Sequence, residues 1–139
     1  MSGNSSGATR RRVLVVEDEL LIGDLLDGMI TDLGHEVVAI VPRVAEALAA
    51  IDRETFDFAI VDVRLHGEMS LPVADALMAK GVLFVFVTGM GESGLPESYR
   101  KLPLLRKPFT KADLAREFDA LAKLADLTAR PDRSSSLPG

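Results

Sequence analysis

Four short apolar runs in this chain each end on polar residues, and helical patterns lie between them. Val13–Val16 leads into Glu17 and Asp18, Phe58–Val61 into Asp62, Val82–Val87 into Thr88, and Leu104–Leu105 into Arg106 and Lys107. A continuous apolar run suits a strand buried on both faces, as in a parallel sheet. Such strands alternating with helices make an α/β domain. In an open parallel sheet the ligand site lies beyond the carboxyl ends of the strands. Three carboxylates, a hydroxyl and an ammonium are therefore expected to converge at one edge of the sheet.

The remaining pattern fills in that domain. Ile22, Leu25, Leu26, Met29 and Leu33 recur at helical spacing, and Gly34 closes the helix. Glu36–Val41 reads as a strand, and Val44, Ala47, Leu48 and Ile51 as a helix face. Ser70 is placed to cap a third helix, with Pro72 in its first turn. The stretch Gly89–Lys101 holds three glycines and a proline, which leaves little room for a regular amphipathic helix. Thr110 and Asp113 have the spacing of a capping box, followed by Leu114, Phe118, Leu121 and Leu124 as an inner face. The expectation is five βα units, the fourth with a shortened or irregular helix.

With 139 residues the chain suffices for one domain and little more. That domain is expected over 12–127. Residues 1–11 and 128–139, rich in Ser, Gly, Pro and Arg, are expected to be flexible tails. Arg10, Arg11 and Arg12 read as charges fencing off the first strand rather than as a basic patch. A net charge of -5 argues against nucleic-acid binding. The lack of cysteine removes disulfides and thiolate metal sites. The longest strongly apolar stretch, Val82–Val87, is too short to span a bilayer, so no membrane association and a cytoplasmic location are expected.

Three carboxylates brought close together repel, and a hard cation relieves the repulsion. Mg²⁺ takes oxygen ligands and is commonly held by one or two carboxylates plus a phosphate. Asp62 can act as a nucleophile that forms an aspartyl-phosphate. Phosphoryl transfer asks mainly for positioning and charge neutralisation. Lys107 would supply positive charge and Thr88 a hydrogen bond. Taken singly these residues are unremarkable: an acidic pair starts many helices, an Asp fills many turns, and a Lys is usually a surface charge. The joint placement at successive strand ends is what points to chemistry.

On these residues the sequence resembles a response-regulator receiver domain of two-component signalling, from about Arg12 to Leu127. The matching segments are 13–19, 59–65, 86–89 and 106–109, which carry Glu17-Asp18, Asp62, Thr88-Gly89 and Lys107-Pro108. The resemblance implies a flavodoxin-like, doubly wound, five-stranded parallel sheet of order 2-1-3-4-5. It implies phosphoryl transfer to Asp62 from a phosphohistidine of a sensor histidine kinase or histidine phosphotransfer protein. It also implies Mg²⁺ held by Asp18, Asp62, the carbonyl of Arg64 and, through water, Glu17. The N–H groups of Arg64 and Gly89 would hold phosphoryl oxygens. Leu104 stands where receivers usually carry a switch aromatic, His66 where they often have proline, and the fourth helix looks eroded. Leu95-Pro96, Tyr99-Arg100 and the ending 105–109 resemble an atypical subgroup common among alphaproteobacterial receivers.

Other signals carry less. Gly89–Gly94 spells a G-x-G-x-x-G, but it follows the fourth strand, and Pro96 interrupts the helix that a dinucleotide fingerprint needs. His35 and His66 match no zinc spacing and read as polar surface residues. The expected function is that of a stand-alone response regulator, a switch rather than an enzyme, whose partner surface includes 89–101, Tyr99 and Arg100, the fifth strand and the last helix. The alternatives are a small Mg²⁺-dependent phosphohydrolase or nucleotide-binding protein, and a degenerate receiver that binds without phosphorylation.

Overall fold

A computed structural model describes residues 10–89 and 95–136, with side chains through 127. Its elements are β1 (Arg12–Val16), α1 (Leu20–Asp32), β2 (Glu36–Val41), α2 (Val44–Arg53), β3 (Phe58–Asp62), β4 (Arg64–Leu65), β5 (Glu68–Met69), α3 (Leu71–Lys80), β6 (Leu83–Thr88), a 3-10 turn (Glu97–Tyr99), β7 (Leu104–Arg106) and α4 (Lys111–Ser136). Five strands form one parallel sheet of order β2-β1-β3-β6-β7. This is the expected order 2-1-3-4-5 once the small antiparallel pair β4–β5 is set aside.

The continuous apolar runs are explained by the two faces they serve. Leu14, Val16, Ala59, Val61, Phe84 and Phe86 pack with Ala47 and Ile51 of α2 and Val73 and Leu77 of α3. The alternate residues Val13, Val15, Phe58, Ile60, Val85 and Val87 pack with Leu26 and Ile30 of α1 and Leu114, Phe118 and Leu121 of α4. Side chains alternate across a strand, so a sheet covered by helices on both sides needs every position apolar. The sheet therefore has buried central strands, with Glu17, Asp62 and Thr88 at or just beyond their carboxyl ends.

Several local expectations need correction. Leu124, expected on the inner face of α4, is 44% exposed, and Leu25 of α1 is 53% exposed. The buried stripes are narrower than the apolar pattern: Leu26 and Ile30 of α1, and Leu114, Phe118 and Leu121 of α4, are the residues buried on the sheet. Ser70 precedes α3 as expected, but its hydroxyl makes no cap bond. It is fully buried and donates to the carbonyls of Asp62, at 2.6 Å, and Val63, at 3.1 Å. His35 is half-buried: Nδ1 accepts from the Arg11 N–H at 3.0 Å, and the ring meets Phe118 edge-on. The last helix, α4, runs on past residue 127 to Ser136.

The eroded fourth helix is as read: between β6 and β7 the described backbone holds only the 3-10 turn. The capping box also forms. The Asp113 N–H donates to the Thr110 hydroxyl at 3.0 Å, and the Thr110 N–H donates to the Asp113 carboxylate at 2.9 Å. No helix is long and apolar enough to cross a membrane among the described residues.

Candidate functional site

The parallel register determines which residues meet. Val16 pairs with Val61, and Asp62 with Val87, so the residues just after β1, β3 and β6 lie side by side. Glu17, Asp18 and Asp62 each offer a carboxylate oxygen, and these oxygens lie within 4.8 Å of one another. Thr88 ends β6 and is buried. Its carbonyl accepts from the Lys107 N–H at 2.8 Å, which sets the β7–α4 loop against β6. Lys107 and Pro108 are joined by a cis peptide bond.

Lys107 Nζ lies 3.1 Å from Asp62 Oδ2, 3.4 Å from Glu17 Oε1 and 3.9 Å from Glu19 Oε1. The other Asp62 oxygen, Oδ1, accepts from the Arg64 N–H at 3.2 Å. A Cβ at Gly89 would meet only the stem of Lys107, at ordinary contact distance. A cleft of about 400 Å³ is lined by Asp18, Asp62, Arg64, Thr88, Gly89 and Lys107, with Glu19, Val63 and Gly67 around them. All the sequence-predicted site residues thus meet at this one edge, with Glu17 its most buried member at 3% exposure.

Burial is the main reason that Glu17 is pushed up to about 7, with the Asp62 charge adding to it and the Glu19 N–H and Lys107 opposing. Lys107 shows the reverse balance. Burial pulls it down, but its hydrogen bond to Asp62 and the charges of Asp62 and Glu17 outweigh this, so it is raised. Glu17 Oε1 is buried without a hydrogen-bond partner among the described residues, with the Lys107 charge 3.4 Å away. A buried carboxylate oxygen lacking a donor, beside two further carboxylates, fits a hard divalent cation. One ammonium shared by three acids leaves the edge short of positive charge.

Tyr99 and Arg100 lie apart from this edge. The Tyr99 hydroxyl donates to Asp75 Oδ1 of α3 at 2.8 Å, and Arg100 Nε donates to the Leu95 carbonyl at 2.9 Å. Leu104 packs partly buried against the α2–α3 side of the core. Residues 90–94, which hold most of the G-x-G-x-x-G, fall outside the described residues. Sequence reasoning missed the β4–β5 hairpin over the cleft, the Ser70 hydroxyl, and the exposure of Leu20 and Leu21, both 80%, at the start of α1. Only His66-Gly67, a dipeptide resembling a hairpin turn, could have hinted at the first.

The solution structure of SdrG from Sphingomonas melonis Fr1 is 40% identical, covers 83% of this chain and 98% of its own, and superposes with a TM-score of 0.75. This chain belongs to the response-regulator receiver family. A second structure of this receiver relative is its BeF3-activated conformation, at 40% identity and a TM-score of 0.70, covering 79% and 94% of the two chains. The anti-anti-sigma factor PhyR from Bartonella quintana is 25% identical, with a TM-score of 0.76 over 94% of this chain and 54% of that one. Among curated proteins, the transcriptional regulatory protein PdtaR of Mycobacterium tuberculosis is 28% identical over 131 residues, 91% of this chain. The receiver spans 64% of the length of that relative. No protein-family model matches the chain. The chain is a two-component response regulator receiver.

Proposed function

We propose that Asp62 accepts a phosphoryl group from a phosphohistidine on a sensor histidine kinase or histidine phosphotransfer protein. The observation that carries this reading is the Asp62 carboxylate itself, with one oxygen on Lys107 Nζ and the other on the Arg64 N–H, facing an acidic pair that fits a cation. An Asp62 oxygen attacks phosphorus, the P–N bond to the donor imidazole breaks, and the imidazole keeps the bonding electrons. Asp18 and Asp62, with the Arg64 carbonyl, would hold Mg²⁺ directly, and Glu17 through water. When bound, the cation supplies neutralisation of phosphoryl oxygen charge. Lys107 turns from the carboxylate to a phosphoryl oxygen, the N–H groups of Arg64 and Gly89 donate to the others, and the Thr88 hydroxyl adds a further hydrogen bond.

The donor has an apolar landing beside the cleft. Exposed Leu20, Leu21 and Leu25 stand on α1, and Ile22, Leu25, Pro108 and Phe109 line a hollow of about 300 Å³ next to Lys107. The output surface is the 89–101 segment with β7 and α4, including Tyr99 and Arg100. The chain acts as a switch that is phosphorylated once rather than as an enzyme that turns over substrate. The test is intact mass after incubation with acetyl phosphate and Mg²⁺. One phosphoryl adduct per chain, lost in Asp62→Asn, is expected. Continued hydrolysis with no adduct would instead favour a phosphohydrolase, and an unmodified chain a receiver that binds without phosphorylation.

A further inference from the structure

The β4–β5 hairpin is built as a strap between the acceptor residue and the acidic pair. Its base is tied twice: the Ser70 N–H donates to the Val63 carbonyl at 2.8 Å, and the buried Ser70 hydroxyl donates to the Asp62 carbonyl at 2.6 Å. Leu65 anchors the hairpin in the core and is wholly buried. The turn is His66-Gly67, and both residues have positive φ, 51° and 80°. Glycine adopts that region freely, whereas His66 does so at a cost. Strain of this kind persists only where the surroundings hold it. Here the turn aims the His66 N–H outward from the hairpin, 2.8 Å from Asp18 Oδ2.

From this geometry we infer that the His66 main-chain N–H is a positioning group for Asp18, fixing one carboxylate oxygen so that the other is presented to a cation. The inference rests on the reading of the acidic edge as a Mg²⁺ site. Asp18 is only half-buried and accepts from no other donor among the described residues, so without this bond its carboxylate could rotate toward solvent. A carboxylate offers about four lone-pair directions, so one N–H leaves most of them open. Hydrogen bonds that orient a ligand in this way commonly change metal affinity by about 10- to 100-fold. The hairpin would thereby join the acceptor's own main chain, through Ser70, to the orientation of a second ligand.

The direct test replaces the 65–66 peptide link by an ester, which removes the N–H and keeps the side chain and turn. His66→Gly keeps the N–H and relieves the positive φ, and His66→Pro removes the N–H but also resists that φ. Mg²⁺ affinity is read by calorimetry, alongside the unfolding temperature of the cation-free protein. The expected result is at least a tenfold weaker Mg²⁺ affinity in the ester protein, His66→Gly within about twofold of the parent, and a metal-free unfolding temperature that does not follow the affinity. Equal affinity in ester and parent overturns the inference while leaving the Mg²⁺ reading intact. A parent that binds no Mg²⁺ overturns both. If His66→Pro does not fold, the ester and glycine proteins still decide between the two.

Discussion

Glu17 shows how one buried acid can both weaken the metal-free fold and prepare it for a cation. Its carboxyl is raised from 4.5 to about 7, first by burial and then by the Asp62 charge. The folded state therefore holds this proton more tightly than the unfolded chain does. The stabilisation from the held proton is complete below about 4.5 and is lost as pH rises through about 7. On this basis Glu17→Gln is expected to raise the unfolding temperature of the metal-free protein at pH 8 and to change it much less at pH 5. The upper limit set by the shift is roughly 3 kcal/mol. The same substitution should weaken Mg²⁺ binding, and in the parent that binding should weaken as pH falls below about 7, where protons compete for Glu17. Thermal scans and calorimetry across that pH range measure both, and a pH-independent Mg²⁺ affinity would contradict the assignment. Ser70 is a second case. Its buried hydroxyl serves two carbonyls, so Ser70→Ala should cost roughly 1–3 kcal/mol in urea unfolding. The carboxylates, Thr88 and Lys107 were legible in the sequence because strand ends bring them together whatever the detailed packing. Ser70 was not, since a serine before a helix signals a cap equally well whether its hydroxyl turns forward or back.

At the level of elements, boundaries followed local chemistry where that chemistry was self-contained. The α4 capping box is one such element, with both reciprocal bonds formed within four residues of chain. Thr110→Ala is expected to lower stability by about 1 kcal/mol, measured by the shift in urea midpoint. Asp113 is held below the usual carboxylate range, chiefly by the Thr110 N–H. Its contribution is present above the unfolded value of 3.8 and is lost as pH falls through the lower folded value. The hairpin was hidden for the opposite reason. Two-residue strands have no periodicity to detect, and the turn is fixed by Asp18 from a distant part of the chain. The width of a buried stripe was also hidden: Leu25 and Leu124 match the helical period, yet both are exposed beside Leu26 and Leu121, which are buried.

Across the whole molecule, the sheet separates two tasks. Its two faces are filled by helices and resist change, while its carboxyl edge gathers charge that phosphorylation would rearrange. The α2–α3 side of the core differs at one corner, where the described residues between β6 and β7 hold a 3-10 turn and no α-helix. That corner is tied to α3 by the hydrogen bond from Tyr99 to Asp75, which raises the Tyr99 hydroxyl above its ordinary value, and by Leu95 and Leu102 packed on the core. Thr88 lies at the root of the same segment. With Leu104 in place of a ring, rotation of a buried aromatic at that position is not available to report the state of Asp62, and movement of the described 95–101 backbone is the response to test. A short turn with few ladder hydrogen bonds opens more readily than a packed helix. We therefore expect amides in 95–101 to exchange fast in the metal-free protein and to slow with beryllium fluoride and Mg²⁺. Tyr99→Phe removes only the tether to Asp75, so it should speed exchange there without changing the rate at which acetyl phosphate modifies Asp62. Hydrogen exchange read by mass spectrometry, with the phosphorylation rate measured in parallel, checks both halves. Slow exchange in the metal-free protein that the mimic leaves unchanged would mean that this corner is rigid and that the signal leaves the acidic edge by another face.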